Sequence, residues 1–363
     1  MEKVKRETNI EILRVIAMLM VVGIHCIGNT AILERNMLTP INDFLCRYFK
    51  LLINVANGTF IIITGYYSIN KGFKLKRICN LWGRTIFYSL IIFAIVSIFG
   101  VGVDTLSSIL PILGGKYWFI TAYIVLCFIY PFYNILLNNL DRKKWKTLII
   151  IMFTITIVKY VFAPNGIFGH FTTVMLFYTM GGYIRKFVEI NKKGKYLTKY
   201  FLIGFIGAIL GLIIHKLHYS SIDFKSVKPI INNLFFSFQD MVNPISTIMV
   251  VFLFLKFRTI EIKNEQLQQL VSYIGPSLFS VYIIHENVNI RFYWLFTGIF
   301  KLAQTPFFIP YLLLLVVAVF CICIVIDFIR RWAYAKLKKV QIINKMVNKI
   351  NEKIELVEQK INI

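Results

Sequence analysis

Three ionisable residues, Glu11, Arg14 and His25, interrupt the otherwise apolar run from Asn9 to His25, NIEILRVIAMLMVVGIH. Imidazole exchanges protons near neutral pH, so His25 could serve as a general base; it could also carry a group as a nucleophile. Eleven residues of α-helix turn through about 1,100°, roughly 20° past three full turns, and rise about 16 Å, so Arg14 and His25 share one face. Glu11 lies on that face, three residues before Arg14, where the two can pair. An arginine near mid-helix in a membrane costs roughly 2.5–3.5 kcal/mol, so this face should look into the protein and not into lipid. Read alone, the same residues also fit a headgroup-level ion pair at the helix start and a satisfied polar residue at its far end.

These residues need a scaffold, and the composition says which kind. The chain has 363 residues, 58% of them hydrophobic, and a mean hydropathy of +0.69. Several runs approach the ~20 residues that cross a bilayer. The expected fold is all-α, a polytopic bundle with spans at about 10–28, 44–69, 81–101, 117–137, 147–163, 171–187, 200–217, 231–255, 271–290 and 308–329. The formal charge of +24 would suggest nucleic acid in a soluble domain, but here position matters more than sum. Of the 41 Lys and Arg, 29 fall on the side that holds both termini, 9 on the other, and Arg14, Arg84 and Lys159 inside spans. That bias puts both termini in the cytoplasm of a plasma-membrane protein, with no nucleic-acid partner. Residues 1–335 read as one transmembrane domain and 336–363 as a cytoplasmic tail. The six cysteines, mostly inside apolar runs, read as packing residues, and no metal site is expected.

Along the chain, the second span carries Asn54, Asn57 and Thr64 as buried polar residues, with Gly58 and Gly65 allowing close approach of another helix. Asp43 to Lys50 before it reads as an outer amphipathic turn. Lys71, Lys74, Lys76, Arg77 and Arg84 follow on the inner side; Arg77 and Arg84 share a helix face if the third span starts early, and paired guanidiniums suit phosphate. Tyr117 and Trp118 sit where an aromatic belt is expected. Gly181 and Gly182 read as a packing notch, and His170, His215 and His218 as solvated imidazoles at outer helix ends. Gln239, Asp240 and Asn243 read as buried polar residues of the eighth span. His285, in Tyr282-Ile283-Ile284-His285, reaches the outer half of the membrane, where it could meet His25 across one cavity, with Glu286 to orient an imidazole. Asp327 can offset Arg330 or Arg331. The tail repeats apolar residues from Val340 to Ile361 at 3-4 spacing, which fits either self-association as a coiled coil or a helix lying on anionic membrane lipid.

The pattern acidic-x-x-Arg-x10-His, with the small Ala17 inside it, resembles the opening helix of the membrane-bound acyltransferase family 3. Phe60 to Tyr67, the Trp-Phe and Pro131 of the helix from 117, and the element ending in His285 also resemble that family. The resemblance implies about ten helices and transfer of an acyl group, acetyl by default, from cytosolic acyl-CoA to a hydroxyl of a surface polysaccharide or lipid-linked sugar. It implies a catalytic set of His25, Arg14, Glu11 and His285. Where family members carry an Arg-x-x-Arg motif associated with acyl-CoA, this chain has Lys74-x-x-Arg77; Lys74, Arg77 and Arg84 are the candidate coenzyme contacts. Trp118, with Tyr117, is the candidate platform for a sugar ring. In space, the reading requires a tunnel shared by Arg14 and His25, open to the cytosol below and to the glycan above. The competing reading is a transporter or flippase for lipid-linked sugars, with Arg14, Arg47 and Arg84 as a cationic path; a polysaccharide polymerase would demand longer outer loops.

Overall fold

The computed structural model describes residues 7–100, 104–113, 117–162, 171–219, 228–239 and 243–361, without the side chains of 236–239 and 343. Gly114, Gly115, His170 and Asp240 therefore lie outside the described residues, as does the side chain of Gln239. Among the described residues all regular structure is helical.

The first helix, α1 (Thr8–Thr30), is followed by α2 (Pro40–Ile53) and α3 (Ala56–Ser68). α2 starts where Pro40 fixes the first helical position and Thr39 Oγ1 accepts the backbone N–H of Asn42. The segment expected to be a surface turn is thus a helix in its own right, packed on α1, and only Asn54 and Val55 separate it from α3. The next helices are α4 (Leu75–Ile98), the short α5 (Thr105–Ile109), α6 (Trp118–Asn138), α7 (Arg142–Phe162), α8 (Phe171–Phe187) and α9 (Tyr196–His218). α4 begins six residues earlier than expected, so Arg77 lies in its first turn.

The single span expected at 231–255 is two helices, α10 (Lys228–Gln239) and α11 (Pro244–Arg258). The reason is local: Pro244 cannot donate to a preceding turn, and Asn243 and Ser246 cap each other's backbone reciprocally. α12 (Glu265–Ile274) runs through a 3₁₀ turn at Gly275–Ser277 into α13 (Leu278–His285), with Pro276 at the break. The chain closes with α14 (Phe308–Leu337) and α15 (Gln341–Ile361).

Among the described residues eight segments are long and apolar enough to cross a membrane: α1, α2 with α3, α4, α6, α7, α9, α12 with α13, and α14. α8 has 17 residues and α11 has 15, shorter than these. Loop contacts show which ends gather at one face. Asn9 donates to the carbonyl of Phe257, Glu7 pairs with Arg258, Lys192 pairs with Glu261, and Asn134 donates to the carbonyls of Ser68 and Lys71. At the opposite face Asn42 donates to the carbonyls of Ala303 and Thr305, and Asn289 bonds to Ser108 and Asp104.

The closest helix crossing is α3 against α8. A side chain at Gly65 would collide with the backbone of Tyr178, and one at Gly181 with the carbonyl of Ile62, so backbone meets backbone there. Such contact replaces the hydrophobic effect as the force holding helices together in lipid. Gly181→Val should therefore lower stability by about 1–3 kcal/mol through overpacking. Gly83→Ala, where a Cβ meets nothing within 4 Å, should not. Thermal unfolding of the two variants in detergent measures the difference.

Candidate active site

One face of α1 carries the site. Arg14, Met18, Val21 and His25 follow at intervals of four, three and four, a stripe one helix face wide. That stripe packs on α12 and α13, where the 3₁₀ break lets Glu11 come so near Gly275 that an added Cβ would lie 3.0 Å from its Oε2. Glu11 Oε1 accepts from Arg14 Nη1 at 2.7 Å, which leaves the rest of the guanidinium for the space beyond.

That space is a cavity of about 210 Å³, lined in part by Arg14, Met18, Val21, Arg77 and Tyr282. Arg77 reaches it from the first turn of α4 and stacks over the ring of Tyr123, 5.1 Å from its centroid. Asn57 and Thr64 supply polar wall from α3, and Thr64 Oγ1 lies 3.3 Å from the hydroxyl of Tyr123. Two guanidiniums at one end and an aromatic and aliphatic remainder suit a ligand with an anionic head and a thin, mostly apolar arm.

Above the cavity, His25 Nδ1 lies 2.8 Å from His285 Nε2, both rings buried. The proton positions follow from the partners. His285 Nδ1 lies 2.5 Å from the carbonyl oxygen of Val281, which can only accept. With both rings neutral, Nδ1 of His285 carries the hydrogen, its Nε2 accepts, and Nδ1 of His25 donates to it. His25 Nε2 is left with a free lone pair. Glu286 Oε2 lies 3.5 Å from His25 Nδ1 and accepts from Asn29 Nδ2 at 3.0 Å, while its Oε1 faces Arg291 Nη1 at 3.4 Å. A positive charge arriving on the His25 ring would meet this carboxylate directly.

His25, His285 and Glu286 bring ligand-type atoms within 4.8 Å of one another, a set a divalent ion could use. Two nitrogens about 2.05 Å from a tetrahedral zinc stand about 3.3 Å apart. The observed 2.8 Å is closer and fits a shared proton better.

The run from His285 to Asn289 is wired to its surroundings. Tyr117, 1% exposed, donates its hydroxyl hydrogen to the carbonyl of Ile283 at 3.0 Å and accepts from Asn287 Nδ2 at 2.9 Å. Tyr117 thus faces α13 from inside the protein, whereas Trp118 beside it is half-buried and lines a small crevice with Asn57 and Phe177. Tyr282 is among the residues that line the cavity, and neither histidine is. Tyr282 packs on both, with ring centroids 5.8 Å from His25 and 6.1 Å from His285.

Of the residues singled out from sequence, the structure brings His25, His285 and Glu286 into one cluster, and Arg14 and Arg77 into one cavity below it. Lys74 stands just before the first residue of α4 and is exposed. Arg84 shares the helix face of Arg77 yet is absent from the cavity lining: its Nη1 donates to the carbonyl of Pro276 at 2.9 Å and it lies over Phe279. Asp327 pairs with Arg330 at 2.8 Å and accepts from Tyr88. His218 faces Asn232 and stacks on Phe235, away from the cluster. Sequence reading missed Asn29, Asn287, Asn289, Arg291 and Tyr123. Asn29 is one helical turn after His25, and the polar run His285-Glu286-Asn287-Val288-Asn289 closing an apolar span was the available signal.

The fold and site together define a helical membrane protein built around a buried, hydrogen-bonded histidine pair beside a cationic cavity. The family model for the acyltransferase domain of family 3 matches residues 7–328, nearly the whole chain, and the protein belongs to that family of membrane acyltransferases. No curated protein and no solved structure matches it.

Tyr117→Phe would leave the Ile283 carbonyl and the Asn287 amide without their buried partner, each worth about 1–3 kcal/mol. Lower thermal stability in detergent, with Tyr293→Phe at an exposed position as an unaffected control, is the expected result.

Proposed function

We propose that this acyltransferase moves an acyl group, acetyl by default, from cytosolic acyl-CoA to a hydroxyl of a surface polysaccharide or lipid-linked sugar. The observation that carries the reading is the His25–His285 contact standing directly above the arginine-lined cavity. The protein would lie in the plasma membrane with both termini in the cytoplasm, as the gathering of lysine-rich ends at one face supports.

In this reading the coenzyme's phosphates rest on Lys74 and Arg77 at the inner mouth. Arg14, about 16 Å below His25 along α1, steadies the coenzyme end of the donor. Arg84, which bonds the kink carbonyl, positions α13. The acceptor approaches from the outer face, past Trp118. His25 Nε2 takes the proton of the acceptor hydroxyl as its oxygen attacks the thioester carbonyl carbon. The tetrahedral intermediate collapses with cleavage of the carbon–sulfur bond, and the proton on His25 passes to the departing sulfur. The products are an ester and the free coenzyme thiol. While His25 holds the proton, His285 Nε2 and the Glu286 carboxylate bear the charge. Tyr282 must swing aside to let the thioester reach His25.

The test is acyl-CoA turnover by the purified protein in vesicles, together with mass analysis of surface polysaccharide from cells with and without it. Loss of one acyl mass per acylated site, coupled to release of coenzyme thiol, is expected. Movement of a lipid-linked sugar without consumption of acyl-CoA would instead establish the transporter reading. His25→Ala should reduce transfer by about 10²–10⁴-fold at normal membrane abundance. Arg77→Ala should raise KM for acyl-CoA more than it lowers kcat. Tyr282→Ala should join cavity and histidines, so that acyl-CoA hydrolysis without acceptor rises while transfer falls; equal hydrolysis in wild type and variant would remove Tyr282 from this role.

A further inference from the structure

The helix α15 lies outside the region shared with the family and takes no part in the site. It begins three residues after α14 ends, and its 21 residues alternate in a way that gives it two unlike edges. At 100° per residue, Ile342, Met346, Ile350, Val357 and Ile361 fall within about 100° of arc, a continuous apolar stripe. They are exposed, Ile342 at 72%, Met346 at 60% and Ile350 at 56%. Lys345, Lys349, Lys353 and Lys360 run along one border of that stripe. On the other border are Glu355 and Glu358, and these face the protein. Glu355 Oε1 lies 3.1 Å from Lys76 Nζ, and Glu358 Oε1 accepts the backbone N–H of Lys76 at 2.7 Å, at the first turn of α4.

The acidic border thus fixes how the helix is rolled, and that roll leaves the apolar stripe and its lysines facing away from the protein. The helix is also held at one level. Its start follows the exposed Trp332 and Tyr334 of α14, residue types that collect at the membrane interface. Its end comes near the loop after α3: Ile361, the last residue of the stripe, lines an open groove together with Ile69, Gly72 and Pro131.

We infer that α15 docks on the inner leaflet and takes anionic phospholipid as its partner, the apolar stripe entering the acyl boundary and the four lysines meeting lipid phosphates. A second copy of the chain fits less well. The 3-4 seam that a coiled coil would use is divided, with Val347 and Ile354 half-buried while Ile350, Val357 and Ile361 are exposed. The inference does not depend on the reaction assigned to the site.

Hydrogen exchange of the full-length protein, one copy per nanodisc, tests it. Discs of phosphatidylcholine alone are compared with discs holding a fraction of phosphatidylglycerol. Backbone amides of 341–361 should exchange at least about tenfold more slowly in the anionic discs, since each lysine near such a surface adds to the attraction. That protection should fade as salt rises, and it should vanish in a variant with Lys345, Lys349, Lys353 and Lys360 all changed to Gln. Exchange of α3 and α8 in the same spectra reports whether that variant is folded, and the salt series on the wild type needs no variant. Equal exchange in the two lipids would overturn the proposal. So would protection that appears only when two copies share a disc, which would assign the stripe to self-association.

Discussion

The hydrogen bond between His25 and His285 is the interaction on which the rest depends. It joins helices 260 residues apart in sequence, within a medium that offers no water to either ring. Each ring must therefore find its partners inside the protein, and each partner imposes a position on another element. Val281 orients His285 from within its own helix, Glu286 is held by Asn29 and Arg291, and Tyr117 ties the backbone of α13 to the start of α6. The pair is small, but satisfying it fixes α1, α6, α13 and the stretch around Arg291 together.

Much of this was legible in the sequence because a membrane narrows the choices. Apolar length pointed to the helical class. The eleven-residue spacing placed Arg14 and His25 on one face, where cavity and cluster are found. The encounter of His25 with His285 could be anticipated from their equal depth. Two kinds of detail were not legible. Helix breaks at Asn243–Pro244 and Gly275–Ser277 depend on local capping and on a proline whose carbonyl is taken by Arg84, and apolar runs conceal both. The direction in which a side chain leaves its helix was hidden as well: Arg77 and Arg84 are seven residues apart on one face, yet one stacks over Tyr123 and the other over Phe279. Tyr117, which in sequence reads as an interfacial aromatic, lies inside because its hydroxyl has two partners there.

The broken span formed by α12 and α13 links the two levels of the site. An unbroken helix would hold its 3.6-residue phase throughout; the 3₁₀ turn at Pro276 resets it. Below the break, Gly275 gives Glu11 room to hold Arg14; above it, Leu278, Tyr282 and His285 repeat the stripe that faces α1. The same turn exposes the carbonyl that Arg84 takes, so a backbone group released by the break is satisfied by a side chain from α4.

Tyr282 leaves the cavity blind. A water-filled passage lined by Arg14 and Arg77 from face to face would conduct anions along the electrical gradient, and a cell could not tolerate many such pores. With one aromatic ring wedged between the cavity and the histidines, and both histidines themselves buried, the protein keeps the insulation of the bilayer intact.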